Sequence, residues 1–315
     1  MACALEPVGE GIYAIDTHYV REKLDASHLI VDRGRAAFVD TGTAFAAPAL
    51  AASLGEIGLD TAAVDYIILT HVHLDHAGGV GRLAALLPRA QVIVHPRGAP
   101  HVVDPSKLIA ATRAIYGASR YAQIYGEITA VPAARVVAVA DGDRIALGTR
   151  TLEFLHTPGH ALHHLCVVDR DTREIFSGDT FGVSYRDLDT AAGAFIVATT
   201  TPTQFDPAQL HASVNRLLAL EPPAMYLTHY SRVRDVARLG RELHADIDAH
   251  VALAGRAASS PDRTRELTER IYQHWSGRLD AHGFAADARR RHEVLDTDAA
   301  LNAAGLDAWL SRTRS

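Results

Sequence analysis

The chain has 315 residues, 48% of them hydrophobic and 22% charged, which excludes a disordered tail, a collagen-like repeat and a disulfide scaffold. Lys+Arg 31 against Asp+Glu 37 leaves a net charge of −6, so no broad positive field exists to draw in a nucleic-acid backbone. Cys3 and Cys166 are too few for a thiolate metal cage and read as reduced thiols of a cytoplasmic protein. The first residues lack the basic-then-apolar pattern of a leader, and no run of about 20 apolar residues reads as a membrane span.

Short apolar runs bounded by Gly, Pro or Asp recur along the first 230 residues: Leu29–Val31, Ala36–Val39, Tyr66–Leu69, Gln91–Val94, Leu152–Leu155, Leu165–Val168, Glu174–Phe176 and Met225–Leu227. Consecutive apolar positions suit strands buried on both faces. Between them, helical stretches fall at about 47–57, 79–87, 105–125 and 207–219, the last opened by Asp206-Pro207 as an N-cap and first-turn proline. Beyond residue 230 strand signals stop. Val233, Val236, Leu239, Leu243 and Ile247 mark one helical face, a second helix is expected over 262–280, and further helix runs to Trp309. This gives a domain over 1–230 and a helical C-terminal extension over 231–315 packed on it, an apolar tail that would suit a homodimer contact.

Histidine is the compositional outlier, with 18 residues. The run Tyr66–Gly79 ends a buried strand and then presents His71, His73, Asp75 and His76. Side chains two apart in extended chain point the same way, so His71 and His73 share a side; the turn that follows brings Asp75 and His76 round. Such crowding of imidazoles and carboxylate is costly unless a cation pairs with it, and nitrogen with oxygen donors suits Zn, Fe or Mn. The same placement past an apolar run recurs at His156-Thr-Pro-Gly-His160, Ser-Gly-Asp179 and Thr-His229. Seven ligand-type residues are enough for two divalent metal ions.

This ordered set resembles the metallo-β-lactamase superfamily, most closely a small, little-characterised bacterial and archaeal group. The resemblance implies an α+β fold, a four-layer αββα sandwich. It implies one metal on His71, His73 and His160, a second on Asp75, His76 and His229, and Asp179 bridging them, with zinc the expected ion. Asp40 matches the early Asp that supports the ligands, and His164 is placed with it. The implied chemistry is hydrolysis by a metal-bound hydroxide, with Asp75 and His76 as catalytic residues and Asp75 passing a proton to the leaving group. The expected substrate is a small molecule with an ester-like bond: a thioester, lactone or carboxylic ester ahead of a phosphoester.

Lactone hydrolases of the superfamily carry a tyrosine soon after the bridging Asp; Tyr185 follows Asp179 at a different spacing. Tyr185, Arg186 and Tyr121 are the candidate substrate contacts, with Arg186 meeting an anionic end. The alternatives on the same scaffold are an iron-dependent oxidoreductase of the persulfide dioxygenase kind, and a metal-bound sensor with little turnover. His73 stands where flavodiiron proteins usually carry a Glu.

Overall fold

Runs of β-branched and aromatic residues punctuated by glycine form the strands of this protein, seen in a computed structural model that describes residues 5–201 and 203–313. The first sheet takes β1 Leu5–Gly9, β2 Ile12–Asp16, β3 Ala26–Asp32, β4 Arg35–Val39, β5 Val64–Ile68, β6 Gln91–Val94 and β7 Val136–Ala138, in that spatial order. The first four strands form an antiparallel meander, and β4 to β7 run parallel. The second sheet takes β8 Arg144–Leu147, β9 Arg150–His156, β10 Leu165–Asp169, β11 Ile175–Gly178, β12 Met225–Leu227 and β13 Ser231–Val233. Its β8 to β11 are antiparallel, while β11 and β12 are parallel. Both sheets are therefore mixed.

The helices are α1 Ala47–Ser53, α2 Leu74–Ala77, α3 Val80–Leu86, α4 Ala99–Val103, α5 Ser106–Tyr116, α6 Ala118–Tyr125, α7 Pro207–Leu218, α8 Val236–Ala257, α9 Arg263–Ala281 and α10 Ala288–Thr313. No helix among the described residues is long and apolar enough to cross a membrane. The stretch 105–125, expected as one helix, is two. Gly117 takes φ 75°, ψ 156°, a conformation open to glycine, and breaks the run. His156, expected in the loop after its strand, is the last residue of β9.

The chain forms two compact units. The first holds 5–156, 163–178 and 224–232. The second holds 157–162, 179–223 and 233–313. Within the first unit, β4 shows why its strands read as unbroken apolar runs. Ala36 and Phe38 face the helical side with Leu50 of α1 and Leu83 of α3, while Ala37 and Val39 face the second sheet. There they join Ile30, Ile68, Phe154, Val167 and Phe176 in one core. Period-two alternation places side chains on both faces, and both are covered.

Within the second unit, Leu239, Leu243 and Ile247 of α8, Leu267, Ile271 and Trp275 of α9, and Leu295, Leu306 and Leu310 of α10 are buried at helical spacing. Gly240 lets α8 approach α7, since a Cβ there would lie 2.7 Å from Leu218. Asp246 is the hub of this unit. Its carboxylate accepts from Ala198 N–H at 2.8 Å and His274 Nε2 at 2.7 Å, and pairs with Arg278 at 2.6 Å.

Candidate metal centre

The candidate ligands stand just beyond strand ends. β4 ends at Val39 and gives Asp40, β5 leads through Leu69 to Thr70 and His71, and β12 ends at Leu227 and gives Thr228 and His229. Sheet hydrogen bonding holds each strand end fixed, and the chain beyond it is released to turn. His71 to Asp75 pass from extended chain into α2, whose first turn contains Asp75 and whose last contains His76.

Within the first unit, Asp75, His76 and His229 bring three ligand atoms within 4.8 Å of one another. His76 Nε2 and His229 Nε2 lie 4.0 and 3.7 Å from the same Asp75 oxygen. The opposite nitrogens explain this orientation. His76 Nδ1–H donates to Asp40 at 2.8 Å, and His229 Nδ1–H donates to the Leu24 carbonyl at 2.8 Å. Each ring is thus fixed with the proton on Nδ1 and the Nε2 lone pair toward Asp75. An acceptor behind a histidine sets its tautomer and raises its basicity as a metal ligand.

Asp40 is fully buried and accepts from four donors: Thr70 N–H at 2.8 Å, Thr70 Oγ1–H at 2.8 Å, His76 Nδ1 and Thr228 Oγ1–H at 2.9 Å. Its donors come from just past β5, from α2 and from just past β12, so one carboxylate ties together the segments that carry the histidines. His71 Nε2 meets His73 Nδ1 at 2.8 Å, and the His71 ring stacks on His164 at 4.9 Å between centroids. Gly178 gives His164 its room, because a Cβ there would lie 2.7 Å from both His164 Nε2 and Thr70 Oγ1. The Val72 N–H donates to His163 Nδ1 at 3.5 Å.

His160 and Asp179 belong to the second unit, where both are buried and His160 Nε2 lies 3.5 Å from an Asp179 oxygen. Asp179 directly follows Gly178, the last residue of β11, and His160 follows the end of β9 by four residues. Tyr185 is also in this unit and is buried. The charge of its neighbour Arg186 is met locally by Asp189 at 3.1 Å and by the Ser184 carbonyl at 2.7 Å. Tyr121 packs with Leu74 and Tyr125 in an aromatic cluster, under the Arg113 guanidinium.

Sequence reasoning missed three features of this region. Thr70 and Thr228, each just before a histidine, are the donors that orient Asp40; the repeated Thr-His pair was the available signal. Asp25 is fully buried, accepts from Thr17 Oγ1–H at 2.9 Å, and burial pushes its carboxyl up to about 7. Tyr19 meets the Tyr125 hydroxyl at 3.2 Å, and burial with the nearby Asp75 charge holds its own hydroxyl well above the ordinary tyrosine range. Neither Asp25 nor Tyr19 carries a spacing that marks it.

Residues 25–229 match the metallo-beta-lactamase superfamily, and the chain belongs to that family. A metallo-beta-lactamase fold-containing protein of Sulfurisphaera tokodaii is 28% identical over 53% of this chain and 60% of its own length. The solved structure of that archaeal protein superposes with a TM-score of 0.64 at 19% identity, covering 95% of this chain and 99% of that one. The chain therefore has the metallo-β-lactamase fold, α+β with two mixed sheets, helices and a helical C-terminal extension. A hydroxyacylglutathione hydrolase of Acidiphilium cryptum is 29% identical over 74% of this chain and 73% of its own. An acyl-coenzyme A thioesterase of Bos taurus is 29% identical over 56% of this chain and 65% of its own. The chain thus spans less than two thirds of the length of two of these three relatives.

Proposed function

We propose that the protein is a dinuclear metal-dependent hydrolase of an ester-like bond, with a thioester the foremost candidate and lactones and carboxylic esters next. One observation carries the reading: His76 and His229 each have Nδ1 tied to an acceptor and Nε2 turned to Asp75. A buried histidine pair oriented by backing acceptors toward a shared carboxylate is the arrangement a divalent cation needs. Two of the relatives, by name a hydroxyacylglutathione hydrolase and an acyl-coenzyme A thioesterase, act on thioesters, and this supports the substrate class.

The ligands we assign are His71, His73 and His160 for one metal, Asp75, His76 and His229 for the other, and Asp179 for both, an assignment that rests on the superfamily motif. These nitrogen and oxygen donors fit borderline divalent ions, zinc first. When bound, the metals supply Lewis acidity and a water acidic enough to ionise near neutral pH. The remaining work belongs to the chain. Asp75 receives the proton of the attacking water at a carboxylate oxygen and returns it to the departing thiol or alcohol. Asp40 and the Leu24 carbonyl hold the two imidazoles in one tautomer, so each keeps its Nε2 lone pair available to a metal. Water adds to the carbonyl, the carbonyl–sulfur or carbonyl–oxygen bond breaks, and the products are a carboxylic acid and a thiol or alcohol. The expected setting is cytoplasmic, with a small molecule as the partner.

The test begins with elemental mass spectrometry on protein purified without chelator, followed by hydrolysis of a panel of thioesters, lactones and aryl esters. About two zinc per chain, with thioester turnover abolished in H71A and D75N, is the expected result. Full activity in either variant would sink the mechanism. One iron per chain with oxygen consumption on a persulfide would replace it with the oxidoreductase.

A further inference from the structure

A half-open cavity of about 1190 Å³ lies in the first unit, bordered by the loop after β2, by α1, by the end of α5 and by α6. It is larger than the roughly 300–1,000 Å³ of most small-ligand sites. Its apolar wall is made by Val20, Phe45, Pro48, Ala49, Ala52 and Ile124; Thr17, His18, Ser119, Arg120 and Gln123 line the rest, and among the described residues none of its lining side chains is acidic. Ala49 and Ala52 are three apart on α1 and so share a helical face, where small side chains keep the space open. Phe45 and Val20 remain 56% and 69% exposed, large apolar side chains left toward solvent at the same cavity.

The cavity is joined to the candidate metal cluster on two sides. Tyr19 lines it, and its hydroxyl meets that of Tyr125; Tyr125 packs with Leu74, the residue before Asp75. The loop that carries Tyr19 ends at Leu24 and Asp25, and the Leu24 carbonyl orients His229. That loop is held in a costly conformation. His18, Val20 and Lys23 have φ of 55°, 60° and 52°, and a β-branched residue such as Val20 rarely takes such values. Asp16 pins it, accepting from His18 N–H at 2.9 Å and Lys23 N–H at 2.8 Å. Strain kept by specific bonds at the edge of a candidate site is a mark of use.

We propose that this cavity receives the acyl chain of a medium- or long-chain acyl thioester, with the Tyr19–Tyr125 hydroxyl pair where the chain meets the carbonyl end near Asp75. The inference rests on the hydrolase reading and adds the acyl selectivity. Burial of both tyrosines keeps their hydroxyls protonated; one donates to the other, which leaves a single hydroxyl proton of the pair to donate at this junction. Val20, Phe45 and the α1 alanines then set how long a chain is accepted.

The experiment has two arms. In the first, kcat/KM is measured for straight-chain acyl thioesters from acetyl to dodecanoyl with wild type, A49F and A52F. Wild type should gain up to about fourfold per methylene until the cavity is filled. In both variants the dodecanoyl-to-acetyl ratio should fall at least tenfold. In the second arm, metal-stripped protein is titrated with a fluorescent long-chain fatty acid; wild type should bind it and the variants at least tenfold more weakly. Ala52 is exposed, so A52F leaves the core alone; Ala49 is half-buried and packs against the core, so melting curves verify the fold of A49F and the A52F result decides where A49F is unstable. Probe binding sensitive to A49F and A52F without hydrolysis of any thioester would keep the acyl pocket and overturn the hydrolase. Hydrolysis with no chain-length dependence, or with a profile and probe binding that both variants leave unchanged, would overturn the pocket. Failure of wild type to bind the probe would overturn it too.

Discussion

Asp40 shows how a residue with an ordinary sequence context acquires a defined role. In the sequence it begins an Asp-Thr-Gly turn of the kind found in any loop. In the structure it has φ 58° and accepts four hydrogen bonds, one of them from His76. Asp40→Asn replaces an acceptor-only group with one that presents N–H to some of those donors. The His76 tautomer is then no longer fixed. We expect metal affinity to fall about 10–100-fold, read by competition with a chromophoric chelator, while far-ultraviolet circular dichroism is unchanged. Unaltered affinity would mean that Asp40 serves the fold alone. The tyrosines illustrate the converse. Tyr121, a candidate substrate contact in the sequence, packs with Leu74 and Tyr125 in the structure. Tyr19, with no pattern around it, stands at the cavity because the loop after β2 folds back, and local spacing does not encode such a return.

Elements differ in the same way. The strands β3 to β6 and β9 to β12 were legible because burial on both faces leaves an unbroken apolar run. β1 exposes Glu6 and Pro7, β7 has three residues, and β8 exposes Arg144, so these marginal strands lack the signal. The helical face of Leu239, Leu243 and Ile247 was legible too, but its partner was not. The segment around Ala198 reads as loop, and it joins the unit of α8 through Asp246, a contact between residues far apart in sequence. Burial pushes the Asp246 carboxyl up, but His250, His274, Arg278 and the Ala198 N–H draw it down and prevail, leaving it well below the usual carboxylate range. The native state therefore binds a proton less readily than the unfolded chain. Its stabilisation is complete above about pH 4, the unfolded value, and is lost as the pH falls further. Asp246→Asn leaves Arg278 without its charge partner and should cost about 3 kcal/mol or more at pH 7, measured by urea unfolding. A loss below about 1 kcal/mol would show the hub to be dispensable. Gly305 of α10 gives an independent test of the same unit. A Cβ there would lie 1.9 Å from the Thr200 carbonyl oxygen, so Gly305→Ala must displace backbone and should lower the melting temperature by several degrees.

On the scale of the whole molecule, stability is expected to depend on metal and on pH through different groups. Ions that bind only the folded chain stabilise it by about 4 kcal/mol at a thousandfold excess over Kd. Chelation should therefore lower the melting temperature, and by less in D40N than in wild type. The pH dependence has a separate source in the core between the sheets. His28 of β3 is buried there, with its ring edge-on to Phe176 and Tyr226 at 5.5 Å, and burial lowers its pKa to about 4. An unfolded histidine titrates near 6.5, so between about pH 6.5 and 4 the unfolded chain takes up a proton that the folded chain refuses. Stability carried by the neutral ring is whole above that window and is lost as the pH drops through it, by about 3 kcal/mol for a shift of this size. The comparison is made on metal-free protein and on the difference between two chains, so that metal loss does not enter it. His28→Leu keeps the apolar packing and removes the titration. The stability of H28L relative to wild type, from urea unfolding at intervals between pH 7.5 and 4.5, should rise steadily as the pH falls. A difference that stays constant with pH would mean that His28 finds a proton-accepting partner in the folded core.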